Sequence, residues 1–296
     1  AGIITDENFS NASVLEVDTE RLLALLNEGI VPIVTGFQGC SKSGYMTTLG
    51  RGGSDVTAAL LGAALKAVEV EIYTDVDGIM TADPRIVSDA ALIEQISYNE
   101  VFQFADQGAK VIHPRAVEIA MNSNIILTIK NTMSNSKGTV INGLNSFNST
   151  SIITGITHMA NRVQVKVKIN KNLGNSNYDS LLDKLADNMI SIDMINVFPE
   201  EKIFTIDTKD KKAFQAIMCS LGLIYSSIDS CSKVAVIGSR MKGMPGVMAR
   251  IIRALNRDGI EILQTTDSYM TIWCLVKSEF TENAIVALHR EFELGC

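Results

Sequence analysis

Apolar residues follow two different rhythms along this chain. In the first half they come as short unbroken runs between glycine-marked turns. Residues 31–37 (VPIVTGF) predict a buried parallel strand that ends in a glycine-rich loop reaching to Gly53. Ser54 and Asp55 then open a helical pattern with Val56, Ala59, Leu60, Ala63 and Ala64 on one side. Residues 69–74 (EVEIYT) predict the next strand, and Asp77-Gly78 marks the turn after it. Ser97 and Glu100 have capping-box spacing ahead of Val101, Phe102 and Ala105, so a helix begins there. His113-Pro114 starts another helix, and residues 125–129 form a last strand. Such β-α alternation predicts helices covering a mostly parallel sheet.

Residues 142–150 (NGLNSFNST) read as a linker, and beyond them the rhythm changes. Residues 163–169 (VQVKVKI) alternate apolar and polar, which predicts a strand covered on one face. A helix with Leu181, Leu182 and Leu185 follows, then strands near 190–197 and 203–206, a helix around 213–218 and a strand near Leu223. The order then recurs: a strand at 234–238, a helix at 245–256 with proline in its first turn, strands at 260–264 and 270–276, and a helix at 281–290. The second half thus reads as two βαββαβ-like units. The expected divisions are 1–141, a linker at 142–150, and units at 151–229 and 230–296.

Composition narrows the function classes. Apolar residues make up 46% and charged residues 20%, so the chain can bury a core. Acidic residues outnumber basic ones 33 to 26, a net charge of −7 that argues against nucleic-acid binding through bulk charge. The longest apolar stretch, 58–65, falls far short of the about 20 residues of a membrane span. No secretory signal opens the chain, and five scattered cysteines without a CxxC suit a reducing compartment, so a cytoplasmic location is expected.

The segment richest in chemistry is 47–55, TTLGRGGSD. Gly50, Gly52 and Gly53 let backbone amides approach a ligand, and the helix start behind them favours an anion. Arg51 adds a planar fork that can grip a carboxylate or phosphate. The glycines alone fit a tight strand-to-helix turn equally well, and neither a Walker A loop nor GxGxxG is present. A second cluster, Thr74-Asp75, Asp77-Gly78 and Asp83-Pro84-Arg85, follows a strand where open α/β sheets bind ligands. It could hold magnesium, a ribose or a purine amine, or be a solvated loop. Lys110 could meet a phosphate or simply face solvent.

Five segments stand in order: 35–39 (TGFQG), 47–55, 71–78 (EIYTDVDG), 81–85 (TADPR) and 108–114 (GAKVIHP). Together they resemble the aspartokinases of the amino-acid kinase superfamily, and the second half resembles the paired ACT domains that follow the kinase there. The resemblance implies the C-terminal part of an open, mostly parallel three-layer kinase sheet followed by two α+β ferredoxin-like ACT domains. It implies transfer of the ATP γ-phosphoryl group to the side-chain carboxylate of L-aspartate, with Mg2+, as the first step toward lysine/diaminopimelate, threonine and methionine. In the catalytic roles it places Asp55 and Lys110. Substrate falls to Phe37, Arg51, Gly52, Gly53 and Ser54. The nucleotide falls to Thr74, Asp75, Met80, Arg85, Lys110 and Val111, with Met80 where the family often has tyrosine.

Aspartokinases begin with a KFGG strand-loop and carry a substrate-binding glutamate; neither occurs in this sequence. A C-terminal portion, inactive by itself, is therefore expected. At the ACT half the resemblance implies an amino-acid effector, lysine or diaminopimelate, held by Met241, Gly243, Met244, Pro245, Gly246, Gln264 and Thr265, with Asp193 and Asp267 as acceptors for an ammonium group. An ACT-mediated homodimer or pairing with another chain is also implied. The competing expectation is a non-catalytic ACT-bearing regulatory subunit that senses an amino acid.

Overall fold

The structure is a computed structural model that describes residues 2–106, 111–143, 152–168, 176–239, 241 and 244–295. It divides into two compact units: Ala1–Thr81 with Ala90–Ile152, and Ala82–Asp89 with Ile153–Cys296.

The first unit runs β1 (Ile3–Thr5), β2 (Val14–Val17), α1 (Glu20–Asn27), β3 (Gln38–Ser41), β4 (Met46–Thr48), α2 (Gly53–Leu65) and β5 (Glu69–Thr74). It continues through β6 (Gln95–Ser97), α3 (Tyr98–Asp106), α4 (Pro114–Ser123), β7 (Ile126–Asn131) and β8 (Thr139–Asn142). Two four-stranded sheets result, ordered β2-β1-β3-β4 and β5-β7-β8-β6. Parallel pairing occurs at β1–β3, β5–β7 and β6–β8, as the α/β alternation predicts, while β1–β2, β3–β4 and β7–β8 pair antiparallel, so both sheets are mixed. Leu127, Ile129 and Ile141 of the second sheet are fully buried, as are Val56 and Ala59 of α2 and Ala116 and Val117 of α4. The capping box forms: Glu100 Oε2 accepts from Ser97 Oγ at 2.6 Å and from its backbone N–H at 3.2 Å.

One predicted strand does not form. Residues 31–35 carry no strand pairing, Ile33 is 99% exposed, and pairing starts only at Gln38. An apolar run reports a preference for burial, and here no neighbouring strand among the described residues pairs with it.

The second unit contains β9 (Gly155–Lys168), α5 (Ser176–Asp179), α6 (Leu181–Asp187), β10 (Ile192–Val197), β11 (Glu201–Asp207), α7 (Lys211–Leu221) and β12 (Tyr225–Ile237). It ends with α8 (Val247–Arg257), β13 (Gln264–Asp267), β14 (Thr271–Lys277) and α9 (Thr281–Glu291). All its strands join one antiparallel sheet, β10-β11-β9-β12-β14-β13. Its ferredoxin-like character comes from two overlapping halves. The later part of β9 pairs with β11 and with the start of β12, whereas Gly155–Met159 pair with Lys233–Ile237. The second βαββαβ pattern therefore takes its last strand from the beginning of β9.

Two strands predicted separately near Leu223 and at 234–238 are one continuous β12, and the expected division between 229 and 230 falls inside it. The strand expected at 260–264 lies later, at Gln264–Asp267, because Ile260 closes the helix end by donating to Leu255 O. Likewise α8 starts at Val247 with Gly246 as its cap, so Pro245 precedes the helix. Midway along the long strands, Asn161 and Ser230 adopt left-handed φ of 61° and 52°, and the β12–β9 register shifts there. The outer strands β10 and β13 lie against each other.

Candidate functional site

The first cluster assembles at the start of α2. Gly52 caps that helix at φ 68°, where only glycine is unstrained, and a side chain on it would fall on the His113 ring. A Cβ on Gly53 would likewise meet the Phe37 ring at 2.6 Å. Phe37 itself has φ 72° and is held from both sides: its N–H donates to Thr57 Oγ1 at 3.0 Å, and its carbonyl accepts from Leu49 at 2.9 Å. Asp55 Oδ2 receives the His113 backbone N–H at 3.4 Å, and Ser54 Oγ reaches Asp55 Oδ1 at 3.5 Å. The side chains of Arg51 and Ser54 are exposed.

His113 is the residue that sequence reasoning missed. It caps α4, its Nδ1 accepting the Arg115 N–H at 3.3 Å, so the N-termini of α2 and α4 converge. Two helix starts aimed at one place favour an anion there. The chain enters α4 through Val111, which is half-buried; Lys110 lies outside the described residues.

The first part of the second predicted cluster, Thr74 and Asp75, shares that edge of the unit, whereas Asp83, Pro84 and Arg85 belong to the second unit. After Leu65 the chain reverses into β5, against which α2 packs, so the start of α2 and the end of β5 face the same way. Thr74 and Asp75 end β5, with Thr74 Oγ1 donating to Asp75 Oδ1 at 3.1 Å. Beyond them Asp77 accepts from Asn131 Nδ2 at 2.8 Å and Ser134 Oγ at 2.7 Å, and these bonds hold its carboxyl below the usual range. Met80 pairs in an isolated bridge with Leu92. Arg85 packs with the second unit. Its guanidinium grips Asp83, with Nε 3.0 Å from Oδ1 and Nη2 2.7 Å from Oδ2, and Asp83 is correspondingly acidified.

In the second unit the predicted effector residues separate into two places. Met241 is buried, while Met244, Pro245 and Gly246 form an exposed turn into α8; Gly243 lies outside the described residues. Asp193 lies on β10 and Gln264 on β13, two strands that touch. Gln264 Nε2 donates to Met194 O and, at 2.6 Å, to Asn196 Oδ1, while its Oε1 accepts Gln164 Nε2 at 3.0 Å. Thr265 and Asp267 continue along β13. Sequence reasoning offers Asp193 to a ligand ammonium, yet its carboxylate receives Nζ of Lys233, a side chain only 3% exposed. A lysine inside the apolar run KVAVI was the available signal, since a buried charge requires a partner.

A model of the amino acid kinase family matches residues 1–131, and one of the ACT domain matches 226–290. Aspartokinase 1 of Bacillus subtilis is 40% identical over all of this chain and 74% of its own length. The aspartokinase of Geobacillus stearothermophilus is 38% identical with the same coverage. Among solved structures, Escherichia coli aspartokinase III in complex with aspartate and ADP is 29% identical at a TM-score of 0.79, over 99% of this chain and 68% of that one. Clostridium acetobutylicum aspartate kinase is 25% identical at 0.85, over 98% and 69%. No helix among the described residues is long and apolar enough to cross a membrane.

Proposed function

We propose that this chain, which belongs to the aspartokinase family, serves the transfer of the ATP γ-phosphoryl group to the side-chain carboxylate of L-aspartate. The observation that carries the reading is the convergence of the α2 and α4 N-termini beside the Gly50–Gly53 turn, on the edge where β5 ends. The acceptor carboxylate has an ordinary pKa near 3.9, so it is ionised at neutral pH and attacks phosphorus without a general base. The obstacle is bringing two anions together, which positioning and fixed positive dipoles relieve. Arg51, exposed beside the turn, would take the substrate α-carboxylate, with Gly52, Gly53 and Ser54 around it and Phe37 as the apolar wall. Asp55, tied to the His113 backbone, would orient the cationic side of the site, to which the family assigns Lys110. Thr74, Asp75, Met80 and Val111 of the first unit would hold the nucleotide.

Magnesium, bound with the ATP phosphates, would neutralise part of their charge. The ACT half would bind an amino-acid effector, lysine or diaminopimelate, and pair with another ACT half. The pathway assignment is the aspartate-derived amino acids.

The test is acyl-phosphate formation from L-aspartate and MgATP, trapped with hydroxylamine, by this chain alone and with a KFGG-bearing segment added. A hydroxamate signal in either mixture supports the reading; a blank in both, with no ATP binding, leaves the non-catalytic ACT subunit in its place. Where turnover is seen, Arg51→Ala should raise the aspartate KM about 10- to 100-fold, the worth of a charge-assisted contact, with ATP affinity held. Equal losses for both substrates would contradict its role.

A further inference from the structure

We propose that Lys233 is the chain's own occupant of an ammonium site, and that residue 233 decides whether Asp193 is open to the amino group of a ligand. The regulatory meaning rests on the effector reading above; the chemistry of the site does not.

Each oxygen of Asp193 already has a donor from the chain. Oδ2 receives Lys233 Nζ, Oδ1 receives the Met194 N–H at 2.8 Å, and the backbone carbonyl accepts Thr205 Oγ1 at 3.1 Å. The Trp273 ring lies 5.4 Å from Nζ, within range of a cation–π contact. Lys233 stands opposite Leu275 in the β12–β14 ladder, and Leu275 belongs to a buried apolar cluster with Met194 and Cys231, against which Leu263 and Trp273 pack. A carboxylate, an aromatic face and an apolar wall are the groups that recognise an alkylammonium ion. The backbone carrying Asp193 is irregular: Met194 has φ 49°, and the pairing of β10 shifts between Asp193 and Asn196. Such strain persists where surrounding contacts over-determine it, here the Gln264 bonds to Met194 O and Asn196.

The arrangement is open from one side only. The Asp193 side chain is 40% exposed while that of Lys233 is 3% exposed, so a solute can approach the carboxylate but finds its inner oxygen taken. A tethered amine competes at the millimolar or higher effective concentration of an intramolecular partner. Ligand amines in the ordinary range therefore do not displace it, and an amino-acid effector places its ammonium elsewhere while Lys233 is present.

The experiment is thermal unfolding of the full chain with n-butylammonium chloride, for the natural sequence, Lys233→Met and the double variant Lys233→Met/Asp193→Asn. Lys233→Met leaves the Asp193 carboxylate without its ion-pair partner, so its Tm falls, and n-butylammonium raises it again, by about 3 °C at ten times its Kd. The natural chain and the double variant show no such rise. Equal responses in the single and double variants, or none in either, overturn the proposal. If Lys233→Met does not fold, its recovery on refolding with n-butylammonium is compared with that of the double variant. A gain confined to the single variant then supports the proposal, and equal recovery, or none, overturns it. Calorimetry adds a second arm: loss of L-lysine binding in Asp193→Asn would show that ligand reaches Asp193 past Lys233, and would also overturn it. Failure of the natural chain to bind any amino acid defeats the effector reading alone, because the n-butylammonium response does not depend on it.

Discussion

Two helices in this chain begin on a left-handed glycine, and they stand in opposite surroundings. Gly52, the cap of α2, has φ 68° and the His113 ring where a side chain would go. Gly246, the cap of α8, has φ 94° and nothing within 4 Å of the same position. The first glycine is required by conformation and by a neighbour; the second is required by conformation alone. The same contrast runs through the two regions. Around α2 the backbone is fixed by contacts while Arg51 and Ser54 point into solvent, which suits a site that must receive something. At the β10–β13 junction the polar side chains of Asp193, Gln164 and Gln264 are bound to groups of the chain itself. Polar residues are thus prepared for a ligand in one region and spent on one another in the other.

The sharpest way to break this comparison is to add one methyl group at each glycine. Gly52→Ala incurs left-handed strain and a collision with His113, together about 2–4 kcal/mol, and should abolish aspartate-dependent turnover. Gly246→Ala incurs only the strain, about 1 kcal/mol. The single tryptophan, Trp273, lies in the second unit, so its fluorescence follows that unit while far-ultraviolet dichroism follows both. Urea unfolding of Gly52→Ala should therefore move the dichroism curve and leave the fluorescence midpoint in place. Equal costs at the two glycines would mean that His113 gives way freely, and the α2–α4 convergence would lose its rigidity.

A second substitution sharpens the other side. Gln264→Leu removes the donor to Met194 O and Asn196 and the acceptor of Gln164, leaving buried polar groups unmatched at a cost of about 2 kcal/mol. The fluorescence midpoint should fall accordingly. Adding Gln164→Leu should cost less than its effect alone, because the two side chains share one bond. Strict additivity would show that the junction is not a network.

These outcomes bear on what can be read from residues alone. The helix behind Ser54 and the capping box of α3 were legible because each is decided by contacts within a few positions, and the strand EVEIYT formed because β7 is there to pair with it. The strand expected at 31–37 was not, since pairing needs a partner that an apolar run does not specify. The sharing of β9 and β12 between two half-sheets was likewise hidden, because the pairing Val234↔His158 joins residues far apart in the chain. At the site, the glycines were visible through spacing and Asp55 through the family resemblance, whereas His113 reaches Asp55 across 58 positions. Lys233, a charged residue at the head of the apolar run VAVI, went unread, and its partner lies 40 positions away.

The smallest effect separates the two units by pH. Burial lowers the pKa of His158 and of His289 below the ordinary 6.5, against the opposing pull of Asp83 on the first and Asp89 on the second. All four residues belong to the second unit. An unfolded chain then binds more protons than the folded one just below pH 6.5, so folding stability rises with pH across that window and is lost on acidification. In the first unit the shifted carboxylates Glu71 and Asp77 are depressed, by Lys130 and by Ser134 respectively. Their contribution is complete above the unfolded value near 4.5 and fades only in stronger acid. Between pH 7.5 and 5.5 the Trp273 fluorescence midpoint in urea should therefore fall, while the first unit's share of the dichroism transition stays put. His289→Gln should flatten that fall, since its side chain is buried and a neutral amide has no proton to gain. A first unit that weakens in step with the second would show that the two do not unfold separately, and the contrast between them would have to be drawn from their sites alone.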